Sequence, residues 1–185
     1  MLAGICIALG SAIYLKLGGV VGAVMFAFGL LTVVHFKLPL YTGTAGFIDL
    51  KEGKEYVNML WILVGNIIGC LLFAFMPIDG IGEGATAIVQ ARMDAGYYNC
   101  FMRSIGCGLI MTLIVQGGRD KNQLLILFGI PLFILLGFYH SIADAAYIGF
   151  NPDWALNGKE FGYYLTIVAG NFVGCNVPRL LNYKL

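Results

Sequence analysis

This sequence is short of charge. Only 11% of its 185 residues are Asp, Glu, Lys or Arg, where soluble globular chains carry about a quarter. The formal net charge is +1 and no stripe of basic residues exists, which excludes nucleic acid as a partner because nothing could neutralise a row of phosphates. Histidine is down to two residues, His35 and His140. The five cysteines, Cys6, Cys70, Cys100, Cys107 and Cys175, lack paired metal-ligand spacing, so no metal and no cofactor is expected. They read as small, reduced hydrophobes inside apolar surroundings. The first 17 residues lack a basic leader and an early cleavage site, and are expected to be a retained first span rather than a signal peptide.

What the chain does have is apolar length. Hydrophobic residues make up 59% of it, and the mean hydropathy is +0.85. Apolar runs fall at residues 1–17, 19–34, 56–76, 96–115, 122–139 and 161–181, each near the roughly 20 residues that a helix needs to cross a hydrocarbon layer. Little is left for a domain outside the lipid, which argues against a soluble catalytic module and hence against an enzyme. The expected class is an all-α integral membrane protein with six transmembrane helices in one membrane domain, residues 1–185, and with membrane lipid as its surroundings.

Two of these runs are interrupted by polar residues. In Phe133 to Tyr147 an apolar stretch reaches His140, Ser141 and Asp144 before turning apolar again. Titratable groups at membrane depth are costly and mark function by default. Ser141 and Asp144 have capping-box spacing, which predicts a new half-helix starting there with His140 at the joint. In the second run, His35, Lys37 and Pro39 interrupt the apolar sequence, and Pro39 removes a backbone donor. Thr42 is the expected cap of a second half-helix running to about Asp49.

The interruptions belong to an internal repeat. When Gly53-Lys54-Glu55-Tyr56 is laid over Gly158-Lys159-Glu160-Phe161, Gly65-Asn66 meets Gly170-Asn171 and Gly69-Cys70 meets Gly174-Cys175. Without a gap, Phe28 and His35 also meet Phe133 and His140. This predicts two halves, residues 1–77 and 95–185, each with three spans. An odd number of spans inverts the second half, so the fold is a 3+3 inverted repeat with helices two and five broken. Asn66 and Asn171 are expected to hold the broken loops, and the Gly-x3-Gly pairs to let helices pack closely. Residues 77–94 read as an external, solvated loop with a short helix at 85–93. Lys51, Lys54, Arg119, Lys121, Arg179 and Lys184 on one side outnumber Lys16, Arg92, Arg103 and Lys159 on the other, predicting cytoplasmic termini in a prokaryotic inner membrane.

With Ala3-Gly4, Phe26-Ala27-Phe28-Gly29-Leu30, Leu40-Tyr41-Thr42-Gly43, Gly65-Asn66 and Gly137-Phe138-Tyr139-His140-Ser141-Ile142-Ala143 in place, the sequence resembles the formate/nitrite transporter family over nearly its whole length. That resemblance implies an aquaporin-like protomer assembled as a homopentamer, each protomer with its own anion pore. It also implies that His140 lies between two apolar constrictions and is faced by Leu40, Tyr41 and Thr42, with Phe26, Leu30 and Phe133 at the constrictions. The chain departs from the family pattern at Gly108 and Asp144, where the family usually has Asn, and at Tyr139, where it usually has Glu.

The chemistry fits a small weak acid. An anion cannot cross apolar rings without a large desolvation cost, whereas its neutral form can, and a histidine between the rings can supply and recover the proton. The expected substrates are small monovalent anions such as formate, nitrite, hydrosulfide or short monocarboxylates, moved by a channel or a proton-coupled transporter. Lys37 would draw anions towards the first break, or extend to the interface. Asp144, one helical turn after His140, is expected to reach its imidazole. The alternative is a neutral-solute pore of aquaporin or urea-channel type, although neither break carries Asn-Pro-Ala.

Overall fold

The computed structural model describes residues 1–151 and 158–183; Lys184 lies outside them. Helices are the only regular structure among the described residues. In chain order they are α1 (Leu2–Leu17), α2 (Gly19–His35), α3 (Tyr41–Thr44), α4 (Gly53–Ala74), α5 (Gly82–Arg119), α6 (Gln123–Leu135), α7 (Ser141–Phe150) and α8 (Gly158–Leu180). Helices α4 and α5 are long and apolar enough to cross a membrane, and α1, α2 and α6 are shorter apolar helices.

Small residues set the packing. A Cβ on Gly4 or Gly69 would strike the backbone of Asn66 or Met1, so α1 and α4 touch main chain to main chain. A Cβ on Gly108 or Gly174 would strike the backbone of Asn171 or Ile105, and α5 therefore meets α8 in the same way. Gly108 leaves no room for the asparagine expected at that point of the family pattern. The Gly-x3-Gly pairs thus serve close packing.

Both interrupted helices end alike. Helix α2 closes with Lys37 N–H donating to Val34 O and Leu38 N–H to Val33 O, and α6 closes with Gly137 N–H to Ile134 O and Phe138 N–H to Phe133 O. These are Schellman ends, which need a left-handed residue after the cap: Lys37 has φ 53° and Gly137 has φ 67°. An extended stretch follows each, and a short helix starts at Tyr41 or Ser141.

This correspondence corrects the gap-free register read from the sequence. Leu40 and His140 are the equivalent positions, each the extended residue before its short helix. His35, the last residue of α2, corresponds to Leu135 rather than to His140. The reason is an insertion: Asn66 follows Tyr41 by 25 residues, while Asn171 follows Ser141 by 30.

Three further expectations are revised. Helix α3 ends at Thr44, well short of Asp49, and Thr42 lies inside it instead of capping it. The capping box does not form either, because His140 itself is the N-cap and its Nδ1 accepts from Ala143 N–H, leaving the Ser141 hydroxyl without a partner among the described residues. Finally, the stretch expected as a solvated loop does hold the helix expected at 85–93, but a longer and partly buried one over residues 82–95. They form the first part of α5, bent from the rest at Gly96 (φ 77°), and they bury Ala85 and Val89.

Candidate functional site

The broken ends meet at the centre of the molecule. Helix α4 sends Asn66 to the first break, where its Oδ1 accepts from Tyr41 N–H at 2.9 Å and its Nδ2 donates to Pro39 O at 3.0 Å. Helix α8 sends Asn171 to the second, where Oδ1 accepts from Ser141 N–H at 2.7 Å and Nδ2 donates to Tyr139 O at 2.8 Å and Ser104 O at 2.9 Å. An amide offers a donor and an acceptor side by side, which is what an interrupted helix leaves unpaired. Cysteines one turn further on complete the bracing. Cys70 Sγ lies 3.3 Å from both Ile142 O and Gly4 O, which compete for its one proton, and Cys175 Sγ donates to Thr42 O at 3.5 Å. All five cysteines are free and buried.

So held, the two breaks bring Thr42 and His140 together. Thr42 Oγ1 lies 2.9 Å from His140 Nε2, and both side chains are almost wholly buried, at 0% and 2% exposure. The imidazole also packs against Phe133, with centroids 5.8 Å apart, and Phe133 stands edge-on to Phe26 at 6.2 Å. Leu30 and Leu40 are buried in the same core. Phe28, by contrast, points outwards at 58% exposure.

Two cavities approach this cluster. One of about 560 Å³ is lined by Val33, His35, Lys37, Leu40 and Arg119 among others. The second, about 120 Å³, is lined by Tyr14, Arg92, Phe133, His140, Asp144 and Tyr147 among others. Leu40 and Gly43 border the first, Phe133 and His140 border the second, and Thr42, next to Gly43 in the chain, is hydrogen-bonded to His140.

Of the residues singled out from the sequence, His140, Thr42, Phe26, Leu30, Leu40 and Phe133 are gathered here, and Lys37 and Asp144 line the flanking cavities. Tyr41 departs from expectation, since its hydroxyl donates to Val168 O at 3.1 Å, tying the ring to α8 instead of to His140. Asp144 departs too. Its backbone N–H donates to His140 O, while its carboxylate Oδ1 accepts from Arg92 Nε at 2.8 Å and does not meet the imidazole.

Arg92 is a site residue that the sequence pattern conceals. Acidic residues and glycines around it suggest a solvated loop, yet Ala85, Val89 and Arg92 recur at helical spacing and mark one buried face. Tyr139 belongs with it, because its ring lies under the Arg92 guanidinium at 4.0 Å and its hydroxyl accepts from Arg103 Nη1 at 3.0 Å. No cluster of His, Cys, Asp or Glu suited to a metal occurs among the described residues.

Comparison with known proteins adds a family match. A sequence profile described as formate/nitrite transporter matches residues 1–183. The fold is similar to that of a solved pentameric formate channel with formate bound, with a TM-score of 0.80 and 18% identity, covering 97% of this chain and 91% of the other. It is also similar to a solved FNT family ion channel, with a TM-score of 0.81 and 21% identity over 98% of this chain and 85% of the other. Among curated proteins, none matches the chain.

Proposed function

Because the chain belongs to the formate/nitrite transporter family, and is thus an integral membrane protein, we propose that it is a channel or proton-coupled transporter for small monovalent anions and their weak acids. Formate, nitrite, hydrosulfide and short monocarboxylates are the substrate class. The path runs from one cavity to the other through the cluster of Phe26, Leu30, Leu40, Phe133, Thr42 and His140. Six spans form two inverted halves around it. Five protomers assemble in a ring, a reading supported by the fold shared with the pentameric formate channel. With the N-terminus cytoplasmic, the Lys37 cavity faces the cytoplasm and the Arg92 cavity faces outwards.

One observation carries this reading: a histidine and a threonine, joined by a 2.9 Å hydrogen bond, are the polar groups in a buried apolar cluster with a cavity on either side. Moving a bare anion into such surroundings would cost on the order of tens of kcal/mol, so it passes as its conjugate acid and His140 exchanges the proton. A static, merely structural histidine would need no cavities beside it. The breaks read Leu40-Tyr41-Thr42 and His140-Ser141-Ile142, so the aquaporin-type alternative has no support from the residues at the joints.

The test is flux into liposomes containing the protein, with a panel of small acids and with or without a pH gradient. Uptake of at least one acid well above protein-free liposomes, steepened by an acidic exterior, is expected. Uptake of water or urea without any acid would reverse the choice between the two readings.

A further inference from the structure

The two cavities treat their cations differently. Lys37, Arg119 and Lys121 line the larger one and form no ion pair among the described residues. Arg92 in the smaller one is paired: its Nε donates to Asp144 Oδ1 at 2.8 Å, with side-chain exposures of 17% and 4%. The partners come from distant parts of the chain, one before the Gly96 bend and one in the first turn of α7.

Burying such a pair is poor economy for stability, since apolar residues of similar size often serve as well or better. What the pair does decide is the character of the cavity. Together Arg92 and Asp144 contribute no net charge. Only the Nε of the guanidinium is bonded among the described residues, so its other N–H groups remain available as donors. Asp144 Oδ2 is buried and has no hydrogen-bond partner there. A neutral pair with donors on one side and an unanswered acceptor on the other matches a molecule that has both an acceptor atom and an acidic O–H or S–H. A protonated weak acid has both, whereas its conjugate base has lost the donor and would face the carboxylate as a like charge.

We propose that Asp144 is a specificity-determining residue that makes the cavity beside His140 selective for the uncharged, protonated form of the substrate acid. It does so by cancelling the charge of Arg92 and by offering a carboxylate oxygen to the acid's proton. This rests on the reading of the chain as a small-acid pathway. The other titratable or charged groups around the pair are Tyr14 on α1, Cys100 and Arg103 on α5, the latter bonded to the Tyr139 hydroxyl, Tyr139 before α7, His140 and Tyr147 at α7, and Tyr163, Tyr164 and Glu160 on α8. Asp144 is the carboxylate in hydrogen-bond contact with the Arg92 guanidinium, and it is the one that answers its charge.

The test uses the full-length protein in liposomes with formate as the probe. In the wild type, uptake should follow the formic acid concentration as pH is varied. Asp144→Asn leaves the Arg92 charge unanswered, gathers the anion beside His140 for protonation, and should raise formate uptake at neutral pH by about tenfold or more, the effect of a nearby unit charge worth at least roughly 1.4 kcal/mol. Uptake should then follow formate rather than formic acid. Arg92→Gln with Asp144→Asn removes both charges and should return uptake to the wild-type level. Wild-type uptake and pH dependence in folded Asp144→Asn would overturn the proposal, as would high uptake at neutral pH in the double variant, which decides the matter if the single variant does not assemble. A wild type that moves no formate removes the transport reading and this inference with it, whereas a transporting wild type with an unaltered Asp144→Asn removes this inference alone.

Discussion

Thr42 Oγ1 accepts from an imidazole that lies 98 residues further along the chain, at 2.9 Å. The direction of that bond follows from the other ring nitrogen. His140 Nδ1 accepts from Ala143 N–H at 3.1 Å, so in the neutral ring the proton sits on Nε2. Both nitrogens are thereby engaged and the ring has one orientation.

Removing the threonine hydroxyl should therefore act on the histidine. Thr42→Val leaves a buried N–H without an acceptor, a loss of about 1–3 kcal/mol. Proton-linked uptake should fall about tenfold if that loss falls on the transport step. Thr42→Ser should retain most of it. Equal uptake by Thr42→Val and wild type across the pH range would remove Thr42 from the path.

His140→Asn should fold and lose most proton-linked uptake, while His35→Asn should keep it. The two are not equivalents: His35 ends α2, stands edge-on to Phe36 at 4.8 Å and borders the larger cavity. Flux recorded against external pH separates them, and equal losses would mean that the larger cavity shares the proton exchange.

Phe133→Ala, alone or with Phe26→Ala, should make the protein leakier and less selective among small anions. An apolar constriction excludes hydrated ions only while it is narrow and dry, and these rings touch at 6.2 Å between centroids. Conductance and reversal potentials in mixed salts are the measurement. Unaltered selectivity in the folded double variant would shift the constriction to Leu30 and Leu40.

Asn171→Leu should cost more stability than Asn66→Leu. Each leaves a buried N–H and a buried C=O at a break unpaired, at about 1–3 kcal/mol apiece, but Asn171 also serves Ser104 O. Thermal unfolding in mild detergent would give the order, and the reverse order would show that the first break depends on its asparagine more than the hydrogen bonds indicate.

How much of this is legible in the sequence depends on which physical signal carries it. Membrane-grade hydropathy and polar residues inside apolar runs locate the helices and both breaks, because lipid tolerates neither feature by accident. The asparagines are legible from their repeat partners. The register between the breaks is not, since a gap-free overlay carries a single offset and the second half holds extra residues between Ser141 and Asn171. The Schellman end at Lys37 is hidden by its side chain, as that position usually takes glycine and has one only at Gly137. Arg92 is obscured by its acidic and glycine neighbours, although Ala85 and Val89 set the buried face on which it lies. The capping box misleads because an imidazole does the work that the spacing assigns to Ser141.

The asparagine and cysteine bracing has a kinetic consequence. Helix α4 grips the first break through Asn66 and touches the second through Cys70, and α8 grips the second through Asn171 and touches the first through Cys175. Cross-tied in this way, neither break can unwind or swing without dragging both long helices along. On the proposed pathway, passage is then left to rotations of single side chains such as Phe133 and Leu40. Such rotations belong to the picosecond-to-nanosecond range in exposed residues and slow down when packed, whereas collective helix motions take microseconds to milliseconds. The backbone would then behave as a fixed frame, and traffic along the proposed pathway would be set by how often two or three side chains pivot out of the way.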